Sequence, residues 1–225
     1  MRLGPMTWND IDASVPKPIL VVPVGSCEQH GPHLPLHTDT VIAVALADAL
    51  VAERGDCVAT PPLTITASGE HEGFPGTLSI GNEAMRSVIV ELVRSADWAS
   101  GVVFVNGHGG NVSAMQAATS VLGRERRRVL TWWLRVPGGD PHAGHVETSI
   151  MLAIAPDEVH VDRAVSGPIP TNDELIEHGV QAVSPSGVLG DPSNSTPEDG
   201  QRMFADLTDD LCATVAEWVE RTGAR

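Results

Sequence analysis

Residues 18–25 read Pro-Ile-Leu-Val-Val-Pro-Val-Gly, an apolar, β-branched run closed by glycine. A run with no polar residue to alternate has no face to offer to water. It suits a strand covered on both sides, as the strands of parallel sheets are. Residues 101–106, Gly-Val-Val-Phe-Val-Asn, repeat the pattern, and residues 57–63 and 128–134 read as two further strands. Helical stretches fall between and after them, at 40–54, 82–98, 112–124, 146–155 and 197–221. The second of these is amphipathic, with Ile89, Leu92 and Val93 on one side. Strands alternating with helices imply right-handed crossovers. The expected fold is α/β, with a central, mostly parallel sheet between helical layers. Residues 156–197, rich in Pro, Gly and Ser, read as irregular. No repeat or linker divides the chain, so residues 1–225 are expected to form a single domain.

Lys plus Arg number 14 against 29 Asp plus Glu, a formal net charge of −15. Neutralising phosphates takes clustered cations, so no nucleic acid and no anionic membrane surface is expected as a partner. The first residues, Met-Arg-Leu-Gly-Pro-Met-Thr-Trp, lack the long apolar segment of a signal peptide, and a cytoplasmic location is expected. Cys27, Cys57 and Cys212 are odd in number and widely spaced, which argues for free thiols.

In α/β sheets ligands gather beyond the carboxyl ends of the strands. Three polar loops follow three of the expected strands, at 26–38, 107–111 and 137–145, and should meet at one sheet edge. The first carries Glu28, His30, His33 and His37, with Asp39 just beyond it. Imidazole and carboxylate together suit zinc, iron or manganese. Glu28 and His30 are two apart, so an extended backbone projects both to one side. A carboxylate such as Asp39 can bridge two cations, although Asp39 also suits the N-cap of the helix that follows. His33 and His37 fit solvated or hydrogen-bonded histidines equally well. The second loop, Asn106-Gly-His108-Gly-Gly-Asn111, turns sharply on its glycines and lacks the lysine of a phosphate-binding loop. The third supplies His142, His145 and Glu147. Glu147 fits a metal ligand or a helix-dipole partner, and His142 fits an acid/base. No elbow serine, H-E-x-x-H or G-x-G-x-x-G motif is present.

Four stretches occur together in order: Glu28-Gln-His30-Gly-Pro-His-Leu-Pro with Asp39; Gly69-Glu-His-Glu-Gly-Phe-Pro-Gly-Thr77; Asn106-Gly-His108-Gly-Gly-Asn111; and His142-Ala-Gly-His-Val-Glu147-Thr-Ser149. In these the chain resembles the creatininase family of metal-dependent amidohydrolases. The resemblance implies a single α/β domain in a homo-oligomeric ring, a hexamer or larger. It implies two divalent metal ions, zinc or iron with manganese as a further candidate. Glu28, Asp39 and His108 would hold one ion, and His30 with the shared Asp39 the second. Creatininase itself has a glutamate where this chain has Gly110, so Glu147 is the expected replacement ligand, and creatinine is a doubtful substrate. Residues 136–149 and 182–192 resemble the peptidase branch that acts on the modified mycofactocin precursor peptide. That branch cuts near the C-terminus and releases the decarboxylated, cross-linked Val-Tyr-derived piece. His142 is the expected proton carrier, with Glu70 and His71 as substitutes. Hydrolysis of a small cyclic amide or formamide, and a non-catalytic metal-binding oligomer, are the competing readings.

Overall fold

The structure, a computed structural model, describes residues 1–223; residues 224–225, the end of the expected 1–225 unit, lie outside them. The chain runs α1 (Trp8–Asp12), β1 (Ile19–Val24), α2 (Thr38–Glu53), β2 (Cys57–Ala59), α3 (Gly81–Ser95), β3 (Gly101–Asn106) and α4 (Val112–Arg124). It continues through β4 (Val129–Trp133), α5 (His145–Ile154), α6 (Asn172–Val183) and α7 (Pro197–Thr222). The four strands form one sheet in the order β2-β1-β3-β4, and every pairing is parallel.

Successive side chains of β1 point to opposite faces, and both faces are covered. Ile19 and Val21 join a core with Leu46 and Leu50 of α2, Ile150 of α5, and Leu211 and Val215 of α7. Leu20, Val22 and Val24 join a second core with Met85 and Ile89 of α3, and Met115 and Leu122 of α4. Every residue of β1 and β3 is buried, which is why neither sequence alternates. The result is a three-layer α/β fold. The loop after β1 passes to the α2 side and the loop after β3 to the α4 side. The crevice between these neighbouring strands is thus a topological switch point, where such sheets bind ligands.

Three expectations are corrected. The second strand ends at Ala59 rather than 63, because Pro61 and Pro62 offer no backbone N–H to the ladder. Residues 156–197 are not wholly irregular. They contain α6, which begins with a capping box in which Thr171 and Glu174 each satisfy the other's backbone N–H. Gly179, at φ 72° and ψ 166°, interrupts that helix. Asp39 is not a cap: α2 starts at Thr38, with His37 at the cap position, and Asp39 lies in the first turn.

All three cysteines are free, and burial pushes the Cys57 thiol up to about 12. Among the described residues no helix is long and apolar enough to cross a membrane.

Candidate metal centre

Glu28 and His30 enter from the loop after β1, Asp39 from the first turn of α2, His108 from the loop after β3, and Glu147 from the first turn of α5. These five expected ligands meet at the switch point. The two oxygens of Asp39 serve different histidines. Oδ1 lies 3.2 Å from His30 Nε2 and Oδ2 lies 3.1 Å from His108 Nδ1. Ser26 Oγ donates to Oδ2 at 2.8 Å and holds the carboxylate's orientation. Glu28 Oε2 is 3.1 Å from His108 Nε2, and Glu147 Oε2 is 3.9 Å from His30 Nε2. Among the described residues four sets of donor atoms are compact enough to hold an ion: Glu28 with Asp39 and His108, His30 with Asp39 and Glu147, Glu28 with His30 and His142, and Glu28 with Glu70 and His71; the first two share Asp39.

Whether a cation fits is decided at Glu28. Its side chain is 0% exposed, and the described residues offer its carboxylate only histidine nitrogens, His108 Nε2 at 3.1 Å and His71 Nε2 at 3.3 Å, with no well-formed hydrogen bond to either oxygen. An ionised carboxylate withdrawn from water costs several kcal/mol unless it is paired or coordinates a metal. The tautomers agree. His30 Nδ1 donates to the Glu28 carbonyl at 3.1 Å, which makes Nε2 the ring nitrogen that faces Asp39. His108 Nε2 donates to the Ala67 carbonyl at 2.9 Å, which makes Nδ1 the ring nitrogen that faces Asp39. Backbone carbonyls that fix a ring nitrogen in this way are the usual support of metal-binding histidines. Asn106 Nδ2 donates to the His108 carbonyl at 2.7 Å and Asn111 Nδ2 to the Gly25 carbonyl at 3.1 Å, tying the β1 and β3 loops together.

The ionisable groups of the centre interact strongly with one another. Burial opposes charge on His30, but Asp39, Glu147 and Glu28 outweigh it and push the imidazole up to about 10. Burial likewise opposes charge on His108, and Glu28, Asp39 and Glu70 carry it well above the ordinary histidine range. Asp39 is held well below the carboxylate range because His30 and His108 overcome its burial. Burial lifts Glu147 to about 7, with His30 opposing and Asp39 assisting. Protons on the two histidines thus stand in for metal charge.

The expected acid/base residues surround this core. Burial, with His30 and His71 adding to it, drives His142 well below the usual histidine range, so the ring is neutral. Its Nδ1 faces Glu28 Oε1 at 3.9 Å. His71 is likewise lowered by burial, against Glu28 and Glu70, and its Nε2 lies 3.3 Å from Glu28 Oε1. Glu70 Oε1 lies 3.3 Å from His108 Nε2 and occupies the space that a side chain at Gly110 would need, since a Cβ there would fall 1.9 Å from it. Burial would raise the Glu70 carboxyl, but the hydrogen bond from His108 keeps it below its ordinary value.

His33 stays outside the cluster. It is buried, Nε2 lies 2.9 Å from Thr148 Oγ1, and burial and His30 lower it to about 4. His37 is exposed and pairs with Glu158 at 2.6 Å. His145 does not pair with Glu147, because residues two apart in one helical turn project to different sides, and His145 lies 3.7 Å from Asp199.

The centre opens into a pocket of about 560 Å³. Its floor includes Asp39, His108, His142 and Glu147, and α6 supplies an apolar wall of Leu175, Ile176 and Val180. Sequence reasoning missed α6 here, and also missed Gln29, whose place between two candidate ligands was the available signal.

The model of the creatininase family, described as creatinine amidohydrolase, matches residues 5–215. The chain belongs to the creatininase family. A Mycolicibacterium smegmatis protein named mycofactocin precursor peptide peptidase is 47% identical, over 96% of this chain and 91% of the relative. A Mycobacterium tuberculosis protein of the same name is 44% identical, over 97% and 92%. Creatinine amidohydrolase of Pseudomonas putida is 28% identical, over 93% and 92%. Among solved structures, a creatinine amidohydrolase (creatininase) superimposes with a TM-score of 0.82 at 22% identity, covering 96% of each chain. This likeness shows that the sheet and its helical layers form the creatininase fold.

Proposed function

We propose that this creatininase-family hydrolase is a metal-dependent peptidase that cuts the modified mycofactocin precursor peptide near its C-terminus, releasing the decarboxylated, cross-linked Val-Tyr-derived piece. The observation that carries the chemistry is the buried Glu28 carboxylate, faced by histidine nitrogens alone, beside two histidines that each turn one ring nitrogen to a shared aspartate. The substrate rests on the relatives that are 44–47% identical and bear that peptidase's name. Solved creatininases of the same fold, one of Zn-Zn type and one with Mn, support those two metals.

Glu28, Asp39 and His108 would hold one divalent ion, and His30, Asp39 and Glu147 the other; zinc, iron and manganese all suit these donors. When bound, the ions lower the pKa of water from about 15.7 toward 7 and polarise the scissile carbonyl. His142, neutral through burial, presents its bare Nδ1 to the centre and takes the proton that the attacking water sheds. It then passes that proton to the leaving amine. Glu70 and His71 stand close enough to substitute in this transfer. The apolar wall of α6 suits a substrate end that has lost its carboxylate. A homo-oligomeric ring in the cytoplasm completes the reading.

The test combines elemental analysis of the purified protein with mass spectrometry of the modified precursor after incubation. Metal bound together with the expected C-terminal cut supports the reading. Turnover of creatinine or a formamide alone would favour the small-amide hydrolase. Bound metal with no cleavage of any of the three would favour a non-catalytic metal-binding oligomer.

A further inference from the structure

Gln29 lies between Glu28 and His30 and is 6% exposed. Its side-chain hydrogen bonds are assigned from the groups that can only donate or only accept. Oε1 accepts from the Gly31 backbone N–H at 2.9 Å, so Nε2 is the donor end. The two hydrogens of Nε2 go to His71 Nδ1 at 2.8 Å and to the Gly187 carbonyl at 3.1 Å. His71 Nδ1 therefore accepts, and the proton of that neutral ring lies on Nε2, the atom 3.3 Å from Glu28 Oε1. On the other side, the backbone carbonyl of Gln29 accepts from His142 Nε2 at 2.8 Å. That places the proton of His142 on Nε2 and leaves Nδ1 bare toward the centre. The side-chain amide also lies 3.1 Å from His142 Nε2, but its hydrogens are already committed.

We propose that Gln29 is a positioning residue that gives the two facing histidines opposite roles, with His71 the N–H donor into the site and His142 the lone-pair acceptor. The rings stand 4.4 Å apart, close enough to serve one substrate group from two sides. The fold holds the amide in register. Gly187 sits at φ 81°, and a Cβ there would fall 1.7 Å from Gln29 Oε1, so only glycine lets the amide reach its carbonyl. The inference rests on the hydrolytic reading for its consequence in turnover, but the tautomers themselves are independent of substrate.

The experiment is a two-bond ¹H–¹⁵N correlation spectrum of the histidines in the zinc-loaded protein, native and Gln29→Glu. The native spectrum should show His71 and His142 both protonated at Nε2. A carboxylate at position 29 can only accept, so His71 should move its proton to Nδ1 while His142 keeps its own. In the same variant kcat on the modified precursor should fall by about 100-fold, the scale of one acid/base contribution, with KM and zinc content nearly unchanged. His71 protonated at Nδ1 in the native protein overturns the proposal, and so does a variant whose His71 tautomer stays put. If the variant does not fold, the native spectrum alone decides. Native tautomers as expected without any peptide cleavage would count against the substrate and leave the positioning role standing.

Discussion

Replacing Glu28 by Gln keeps the volume of the side chain and removes its charge from a site that is 0% exposed. The carboxylate belongs to the compact donor set with Asp39 and His108, so the amide should weaken metal binding by more than the 10–100-fold typical of residues that merely support a ligand. Binding to the folded state stabilises it by RT ln(1 + [L]/Kd). For native protein at zinc about 1,000 times its Kd this is about 4.1 kcal/mol. A 100-fold loss of affinity at the same zinc leaves about 1.4 kcal/mol. For a chain of this size about 1 kcal/mol moves Tm by 2–4 °C, so the variant should forfeit roughly 5–11 °C of its zinc-induced shift. Differential scanning calorimetry of both proteins, in chelator and in zinc, reads that difference directly. Because each protein is compared with its own stripped form, a change in intrinsic stability does not enter. A Glu28→Gln variant that kept the full zinc shift would refute the assignment of Glu28 as a ligand.

Zinc uptake should tighten as pH rises, because His30 at about 10 must release a proton to bind, and the raised His108 adds to the effect; calorimetry in buffers of different ionisation enthalpy should count at least one proton per loading at pH 8. In chelated protein the raised His30 pKa adds stability in full below 6.5, and this is lost as pH climbs through about 10, which chemical denaturation across that window would follow. Gly110→Ala would put a Cβ 2.4 Å from His108 Nε2 and 2.6 Å from the Ala67 carbonyl, so the chelated protein should lose about 1–3 kcal/mol by denaturant titration and bind zinc more weakly. Ile176→Ser, at a side chain 84% exposed on the pocket wall, should leave stability within about 0.5 kcal/mol while raising KM for the peptide; an unchanged KM would remove α6 from substrate contact.

The strands that carry the site were legible because burial on both faces leaves an uninterrupted apolar run, and β3 has the bounds its sequence suggested. The loops of the candidate site were legible for a related reason, since Glu28, His30 and His108 sit directly after those runs, where parallel strands deliver their loops to one edge. α6 was hidden by the Gly179 interruption, which breaks the spacing of Leu175, Ile176 and Val180, although Thr171 and Glu174 form a capping signature that marks its start. The place of Gln29 between Glu28 and His30 marked the residue, but not its role. Its partners His71 and Gly187 lie 42 and 158 residues away, and only the folded chain brings them to one amide. The same holds for His33, which matches its ligand-like neighbours in type but turns to Thr148, 115 residues away.

Asp39 offers one oxygen to each histidine, and through them to loops that different crossovers have carried to opposite faces of the sheet. A pair of ions sharing that carboxylate would rivet the β1 loop, the β3 loop and the start of α5 into one unit. Stripping them would then be felt well beyond the pocket, as faster amide hydrogen exchange in all three segments at once.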